Sequence, residues 1–129
     1  MAAKRQSIDI EGVAHGAPIP MASRIGNMLY SSGIFGTDPK TGKSPETVEA
    51  QAEQAFENLR SLLKAVGGTP DNVIYVTVYM KDRSQREAVN KPWLKMFPDE
   101  HSRPARHAIE AALPGGNFLQ LQVVAVLDG

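Results

Sequence analysis

The hydrophobic positions of one long segment recur with the period of a helix. Between residues 45 and 66, apolar side chains appear every three or four positions, which predicts an amphipathic helix. Ser44 stands where an N-cap is needed, and Gly67 suits the C-terminal end of the helix. A second helix is predicted from the capping-box spacing that begins at Ser84, with Pro92 as a break or kink.

Short segments of β-branched and aromatic residues predict strands. The segments are 22–25, 28–32, 73–80, 105–113 and 118–127. Gly26-Asn27 separates the first two and suits a two-residue hairpin turn. Residues 73–80 are apolar on both faces, as in a central strand. In the last segment alternate apolar residues mark one face of the sheet, namely Leu119, Leu121, Val123, Ala125 and Leu127.

This order of elements predicts an α+β fold, a mixed sheet with two helices packed on one face. The other face, which carries Tyr75, Thr77 and Tyr79 or the alternate residues, has no layer to cover it within one chain. Since an apolar sheet face needs a cover, we expect an oligomer. The length of 129 residues fits a single domain over residues 1–129.

The composition argues against several classes of function. Lys+Arg and Asp+Glu both number 14, so the formal net charge is zero and nothing attracts nucleic acid or anionic lipid over a distance. There is no cysteine, which removes disulfides, thiolate nucleophiles and cysteine-bound zinc. No apolar run could span a membrane, and none follows the basic N-terminus as in a signal peptide, so a soluble, cytoplasmic protein is expected.

Few other residues indicate chemistry. The histidines His15, His101 and His107 lack the spacing of a metal site, so no metal is expected. Trp93 is the only tryptophan and is expected in the core, with the wall of a pocket as the alternative.

Arg106 is the strongest single indication of a binding site. Strand alternation places it with Ala108 and Glu110 on one side, and His107 on the other. An arginine among small apolar neighbours is costly unless it meets an anion, and its planar fork suits a carboxylate. Two partners remain open at this point, an acidic side chain in a structural salt bridge and a carboxylate ligand.

A series of short motifs runs from about residue 15 to the end of the chain. Singly each is weak, but their order is specific. They are Ile25-Gly-Asn-Met28, Ser32-Gly33, Asp38-Pro-Lys-Thr-Gly42, Asn58-Leu59, Asp71-Asn-Val73, Asn90, Phe97-Pro98, Pro104-Ala-Arg106 and Leu113-Pro114. Through them the chain resembles the YjgF/RidA family of reactive-intermediate deaminases, whose older label is endoribonuclease L-PSP.

The resemblance implies a chorismate-mutase-like fold and a homotrimer whose sheets form a central barrel with three clefts between subunits. It implies that Arg106 grips the carboxylate of a 2-imino or 2-enamino acid while water adds to the C=N carbon and ammonia leaves. It also implies that Ser32 lies near the substrate, that Gly33 supplies a backbone contact and that Asn90 lies beside the cleft. No cofactor is needed, because placement and electrostatics do most of that work.

Two positions depart from the family pattern. Ile19 stands where well-known deaminases carry a tyrosine, and Gln120 aligns with a glutamate that positions or activates water. A neutral amide can orient water but cannot accept its proton. His15, in the loop that would line the cleft, and His107 are alternative proton acceptors.

Two functions therefore stay open. The first is an imine or enamine deaminase that uses Arg106 and Gln120, and the second is a non-catalytic trimer that binds small carboxylates in the same clefts. The endoribonuclease of the older label fits poorly with zero net charge and no basic, aromatic stripe.

Overall fold

The computed structural model describes residues 4–10 and 15–128, which contain one mixed sheet of seven strands and two α-helices. The strands are β1 (Gln6–Ile8), β2 (Ala22–Ile25), β3 (Met28–Ser31), β4 (Ile34–Phe35), β5 (Val73–Met80), β6 (Ala105–Glu110) and β7 (Leu119–Val126). The helices are α1 (Val48–Ala65) and α2 (Asn90–Met96), with 3-10 turns at Pro70–Asn72 and Arg83–Val89. The predicted α+β class is confirmed.

The strands follow the order β1-β2-β3-β7-β5-β6, and β4 also pairs with β7. Strands β5 and β6 are parallel, whereas the other pairs are antiparallel. The prediction that 73–80 is the central strand is only partly right, because β5 lies next to the edge strand β6. Strand β7 holds the centre, since it pairs with β3, β4 and β5.

One face of the sheet is buried against the helices. The predicted apolar face of β7 is confirmed, since its alternate residues are fully buried from Leu119 to Ala125. They form one cluster with the inward face of α1, which includes Phe56 and Leu59. Burial of these aliphatic and aromatic side chains is the main force that holds the helices on the sheet.

The opposite face of the sheet, here called the outer face, carries exposed apolar side chains. Tyr30, Tyr75 and Ile109 lie on it and remain 55%, 36% and 37% exposed. Apolar residues on one side of a sheet are normally covered by another layer. This is the face for which the sequence predicts a partner.

The first helix begins later than predicted. Thr47 is its N-cap, and the Thr47 hydroxyl accepts a hydrogen bond from the backbone N–H of Ala50. Ser44 as the N-cap is wrong, because its hydroxyl donates instead to Asn117 Oδ1 at 2.9 Å. Gly67 closes the helix as predicted, with φ of 72°.

The second predicted helix is divided into two parts. The capping box at Ser84 is wrong, because Asp82 accepts the Ser84 N–H at 3.0 Å and caps the 3-10 turn Arg83–Val89. Helix α2 then begins at Asn90. Pro92 falls in its first turn, where backbone N–H groups have no intrahelical partner, so the missing donor does not break the helix.

Other boundaries agree with prediction to within a few residues. The hairpin of β2 and β3 is confirmed, and Gly26 takes φ of 58° at its turn. Strand β6 ends at Glu110, three residues before the predicted end at position 113. Within the described ranges, no helix is long and apolar enough to cross a membrane.

Candidate functional site

Arg106 projects from the edge strand β6 onto helix α2. It pairs in register with the buried Val76 of β5, so its side chain lies on the helical face of the sheet. Its Nη2 donates to Asn90 Oδ1 at 2.8 Å, and its Cζ lies 4.9 Å from the centroid of the Trp93 ring. Residues three apart share a helix face, so α2 supplies both contacts. We call Arg106, Asn90 and Trp93 the anchor half.

The guanidinium of Arg106 has no acidic partner in the part of the chain that the structure describes. Arg106 as a whole residue is exposed. Burial of part of its guanidinium nevertheless lowers the pKa of Arg106 from its usual value. An arginine nevertheless stays charged near neutral pH. The salt-bridge alternative thus has no support among the described residues of one chain, and an oriented cation is left open to an anion.

A second group of site residues lies around the start of β4. Phe35 pairs in register with Gln120 of β7, and Gly33 immediately precedes β4. The backbone of Gly33 lies so close to the Gln120 side chain that a Cβ on Gly33 would come within 2.0 Å of Gln120 Nε2. Only glycine leaves room for the amide there. Together with Ser32, these two residues form what we call the amide half.

The loop before β2 is tied to the amide half. The backbone N–H of Ser32 donates to the carbonyl of Met21 at 2.8 Å, which brings the segment of Ile19 to the end of β3. The Ile19 side chain is 49% exposed. His15 is partly buried, and its Nε2 has no hydrogen-bond partner within residues 4–10 and 15–128.

The two halves of one chain lie on opposite faces of the sheet. Gln120 alternates with the buried Leu119 and Leu121 and therefore points to the outer face, whereas Arg106 lies on the helical face. Two strand spacings across and three residues along separate their Cα positions by about 14 Å. A three- or four-carbon acid cannot touch both groups within one chain.

The other polar residues considered for the site, His107 and Gln122, do not join the anchor half. His107 pairs with Thr77 and so lies on the outer face, away from Arg106. Gln122 shares the outer face with Gln120, and its Oε1 accepts the hydroxyl of Tyr79 at 3.2 Å. Across residues 4–10 and 15–128, no three His, Asp or Glu side chains lie close enough to hold a metal ion. The catalytic and substrate-binding roles of all these residues stay predictions.

Sequence reasoning preferred the core for Trp93 and did not assign it to this site. Trp93 is only 8% exposed, as expected of a core aromatic, yet one face of its ring supports Arg106. The spacing of Asn90 and Trp93 on one helix face was the available signal. It indicates a shared contact only once α2 is known to begin at Asn90.

The anchor half has the chemistry to bind a small carboxylate, since neutral groups hold the arginine and no acid among the described residues neutralises it. The family model described as Endoribonuclease L-PSP matches residues 16–126. The chain belongs to this family, the YjgF/RidA family, and the predicted resemblance is confirmed.

Named relatives agree with this assignment. A RutC family protein of Pasteurella multocida is 35% identical over 112 residues, which are 84% of this chain and 87% of that protein. The 2-iminobutanoate/2-iminopropanoate deaminase of Escherichia coli K12 is 33% identical over 104 residues, 79% of this chain and 81% of that protein. The crystal structure of RidA from the Antarctic bacterium Psychrobacter sp. PAMC 21119 has a TM-score of 0.86 and 31% identity, covering 95% of this chain and 99% of that one.

Proposed function

We propose that this protein is an imine or enamine deaminase that hydrolyses small 2-imino or 2-enamino carboxylates and releases ammonia. The observation that carries the proposal is the Arg106 guanidinium, which Asn90 and Trp93 hold with no acidic partner among the described residues. The similarity to proteins named as deaminases of 2-imino acids supports the substrate class.

The proposed mechanism uses the positive charge of Arg106 and the neutral amide of Gln120. Arg106 binds the substrate carboxylate through paired N–H donors, which fixes the position of C2. The Gln120 amide of the neighbouring chain orients a water molecule towards C2. The water oxygen bonds to C2 as the C=N double bond becomes a single bond. Collapse of the resulting carbinolamine breaks the C–N bond. No cofactor takes part in this mechanism.

The proton balance explains how a neutral amide can serve. In the hydrolysis of a neutral imine to a 2-oxo acid and ammonia, both protons of the water end on the nitrogen. No proton has to remain on the protein, so Gln120 needs only to orient the water and donate or accept hydrogen bonds. Rate enhancement then comes from orientation and from the charge of Arg106 rather than from a general base.

The complete site needs two chains, and we propose a homotrimer in which the anchor half of one chain faces the amide half of the next. Ile19 and His15 would line the same cleft, with Ile19 as an apolar wall. The separation of about 14 Å between the halves and the exposed apolar outer face support this arrangement. Light scattering should then give a mass three times the 14.0 kDa of the chain.

A second candidate is a non-catalytic trimer that binds small carboxylates. The Gln120 and Ile19 departures from the family pattern favour it, because a neutral amide cannot accept a proton from water. The anchor half would still bind a carboxylate. The two candidates therefore differ in turnover but not in binding.

One assay separates the candidates. An amino-acid oxidase generates 2-iminobutanoate or 2-iminopropanoate in place, and the loss of the imine is followed with and without the protein. Arg106→Ala is compared with the control Arg60→Ala, which removes an exposed arginine of α1. Faster decay that Arg106→Ala abolishes supports the deaminase. Decay no faster than in buffer, with calorimetric binding of 2-oxo acids, supports the binding protein, and the absence of both contradicts both.

We propose no activity on RNA, despite the description of the family model. The chain has zero formal net charge, so a polyanion gains little from it. RNA cleavage that persists through rigorous purification and disappears in Arg106→Ala would contradict this. Two further proposals come from the sequence: the chain forms a single domain, and the protein is cytoplasmic.

A further inference from the structure

We infer that Trp93 is a positioning residue for the carboxylate anchor. Its indole face holds the guanidinium of Arg106 so that the N–H groups not bonded to Asn90 point out to the substrate. This inference rests on the proposed function of Arg106, and it adds the residue that makes the anchor rigid.

The two contacts of Arg106 restrain different motions. An exposed arginine has several free torsions and populates many rotamers. A guanidinium above an aromatic ring is held against that face, and its in-plane donors remain free because the ring occupies only one face. The bond from Nη2 to Asn90 Oδ1, at 2.8 Å, then restricts rotation within the plane. The donors that remain can form the paired contact with a carboxylate.

The platform itself belongs to the core and cannot follow the arginine. The Trp93 ring meets Phe97 edge-on at 4.7 Å between centroids, with an interplanar angle of 63°. On another side it meets Phe56 of α1 at 6.4 Å and 84°. Edge-to-face pairs of this kind favour one orientation of each ring. The position of the guanidinium is therefore coupled to the packing of α1 and α2.

A purely structural role for Trp93 predicts something different. If Trp93 only fills the core and Arg106 merely covers its edge, substitution of Trp93 should lower stability and leave the carboxylate affinity of the folded protein unchanged. If Trp93 positions the anchor, affinity should fall even where the protein is fully folded. A comparison of the carboxylate affinities of fully folded variants therefore distinguishes the two roles.

Trp93 also supplies a direct spectroscopic signal, because it is the only tryptophan in the chain. Its emission reports the cation above its ring. We expect Arg106→Ala to change the emission in the absence of any ligand. We also expect 2-oxobutanoate to change the emission of the wild type, since its carboxylate would neutralise that cation.

The test measures binding of 2-oxobutanoate by calorimetry, together with the KM and kcat for imine loss, at a temperature where every variant is folded. Trp93→Leu keeps an apolar side chain but removes the aromatic face, so we expect the affinity of the folded protein to fall about tenfold and KM to rise more than kcat falls. Trp93→Tyr keeps a smaller face and should restore most of the affinity. The control Phe118→Leu replaces a partly buried aromatic residue outside the anchor half and should leave affinity unchanged.

Each outcome decides the inference. Binding by Trp93→Leu as tight as in the wild type, with binding lost in Arg106→Ala, overturns the role of Trp93 and leaves the proposed function intact. If the wild type neither binds 2-oxobutanoate nor speeds imine loss, the proposed function fails and the positioning role fails with it. Should Trp93→Leu not fold, the order of affinities wild type, Trp93→Tyr, Trp93→Phe takes its place, and equal affinities overturn the inference.

Discussion

The anchor half holds a full positive charge within one chain, whereas the amide half contributes only neutral groups. Arg106 is oriented by an amide oxygen and an aromatic face that a single chain supplies. The Gln120 side chain packs against the bare backbone of Gly33. Under the proposed function, this difference means that recognition of a carboxylate would be built into each chain, while handling of water would depend on how chains meet. Binding and turnover should therefore respond to different substitutions.

The largest effect is expected from Arg106→Ala, which removes the charge of the anchor half. Loss of a charge-assisted, paired contact should weaken 2-oxo acid binding and lower kcat/KM about 100-fold or more, or about 3 kcal/mol. Because the guanidinium has no acidic partner in the described ranges, the melting temperature should change little. Calorimetry measures the binding of 2-oxo acids, and the imine assay measures kcat/KM. Near-normal binding of 2-oxo acids by Arg106→Ala would contradict the role of the anchor half in binding.

Gly33→Ala should disturb the amide half and spare the anchor half. The new Cβ would come within 2.0 Å of Gln120 Nε2, so the flexible glutamine side chain must move away. We expect kcat to fall about tenfold as water orientation is lost, while the affinity of 2-oxo acids stays near that of the wild type. The control is Gly116→Ala, because a Cβ at Gly116 meets nothing within 4 Å. Equal losses of affinity and kcat would contradict the separation of the two halves.

Arg106 was more predictable from the sequence than the residues of the amide half. A cation at alternate spacing with small apolar neighbours is unusual on a strand, and that local pattern marked Arg106. The need for glycine at position 33 comes from Gln120, a residue far along the chain on β7. No local pattern reports such a contact. Gly33 and Gln120 were therefore assigned to the site through the resemblance to the family and not from the residues alone.

The same division applies to the fold. The buried face of β7 followed from alternation alone, because a period of two is a local property. The cap of α1 did not, since Ser44 is held by Asn117, on the turn before β7. Nor does the chain order predict that β5 lies between β6 and β7, because the order of strands in a sheet depends on pairing between distant segments.

Asn90→Ala should weaken the anchor half less than loss of the charge does. It removes the acceptor of one hydrogen bond from Nη2 but leaves the Trp93 face in place. We expect affinity for 2-oxobutanoate to fall about fivefold, or about 1 kcal/mol, through greater rotational freedom of the guanidinium. Asn90→Asp would place a carboxylate against Arg106 and should lower affinity further. Unchanged affinity in both variants would leave Trp93 as sufficient support.

The smallest effect is expected from Gln120→Glu, which gives the amide half a charge. The new carboxylate can accept a proton from water, so kcat should rise a few-fold at neutral pH. A glutamate ionises with a pKa of about 4.3, so this gain should be present above that pH and disappear as the pH falls through it. The wild type should show no such loss, because Gln120 does not titrate and Arg106 stays charged. The pH profiles of the two proteins measure this directly. A loss at acid pH in the wild type as well would contradict this account of the amide half.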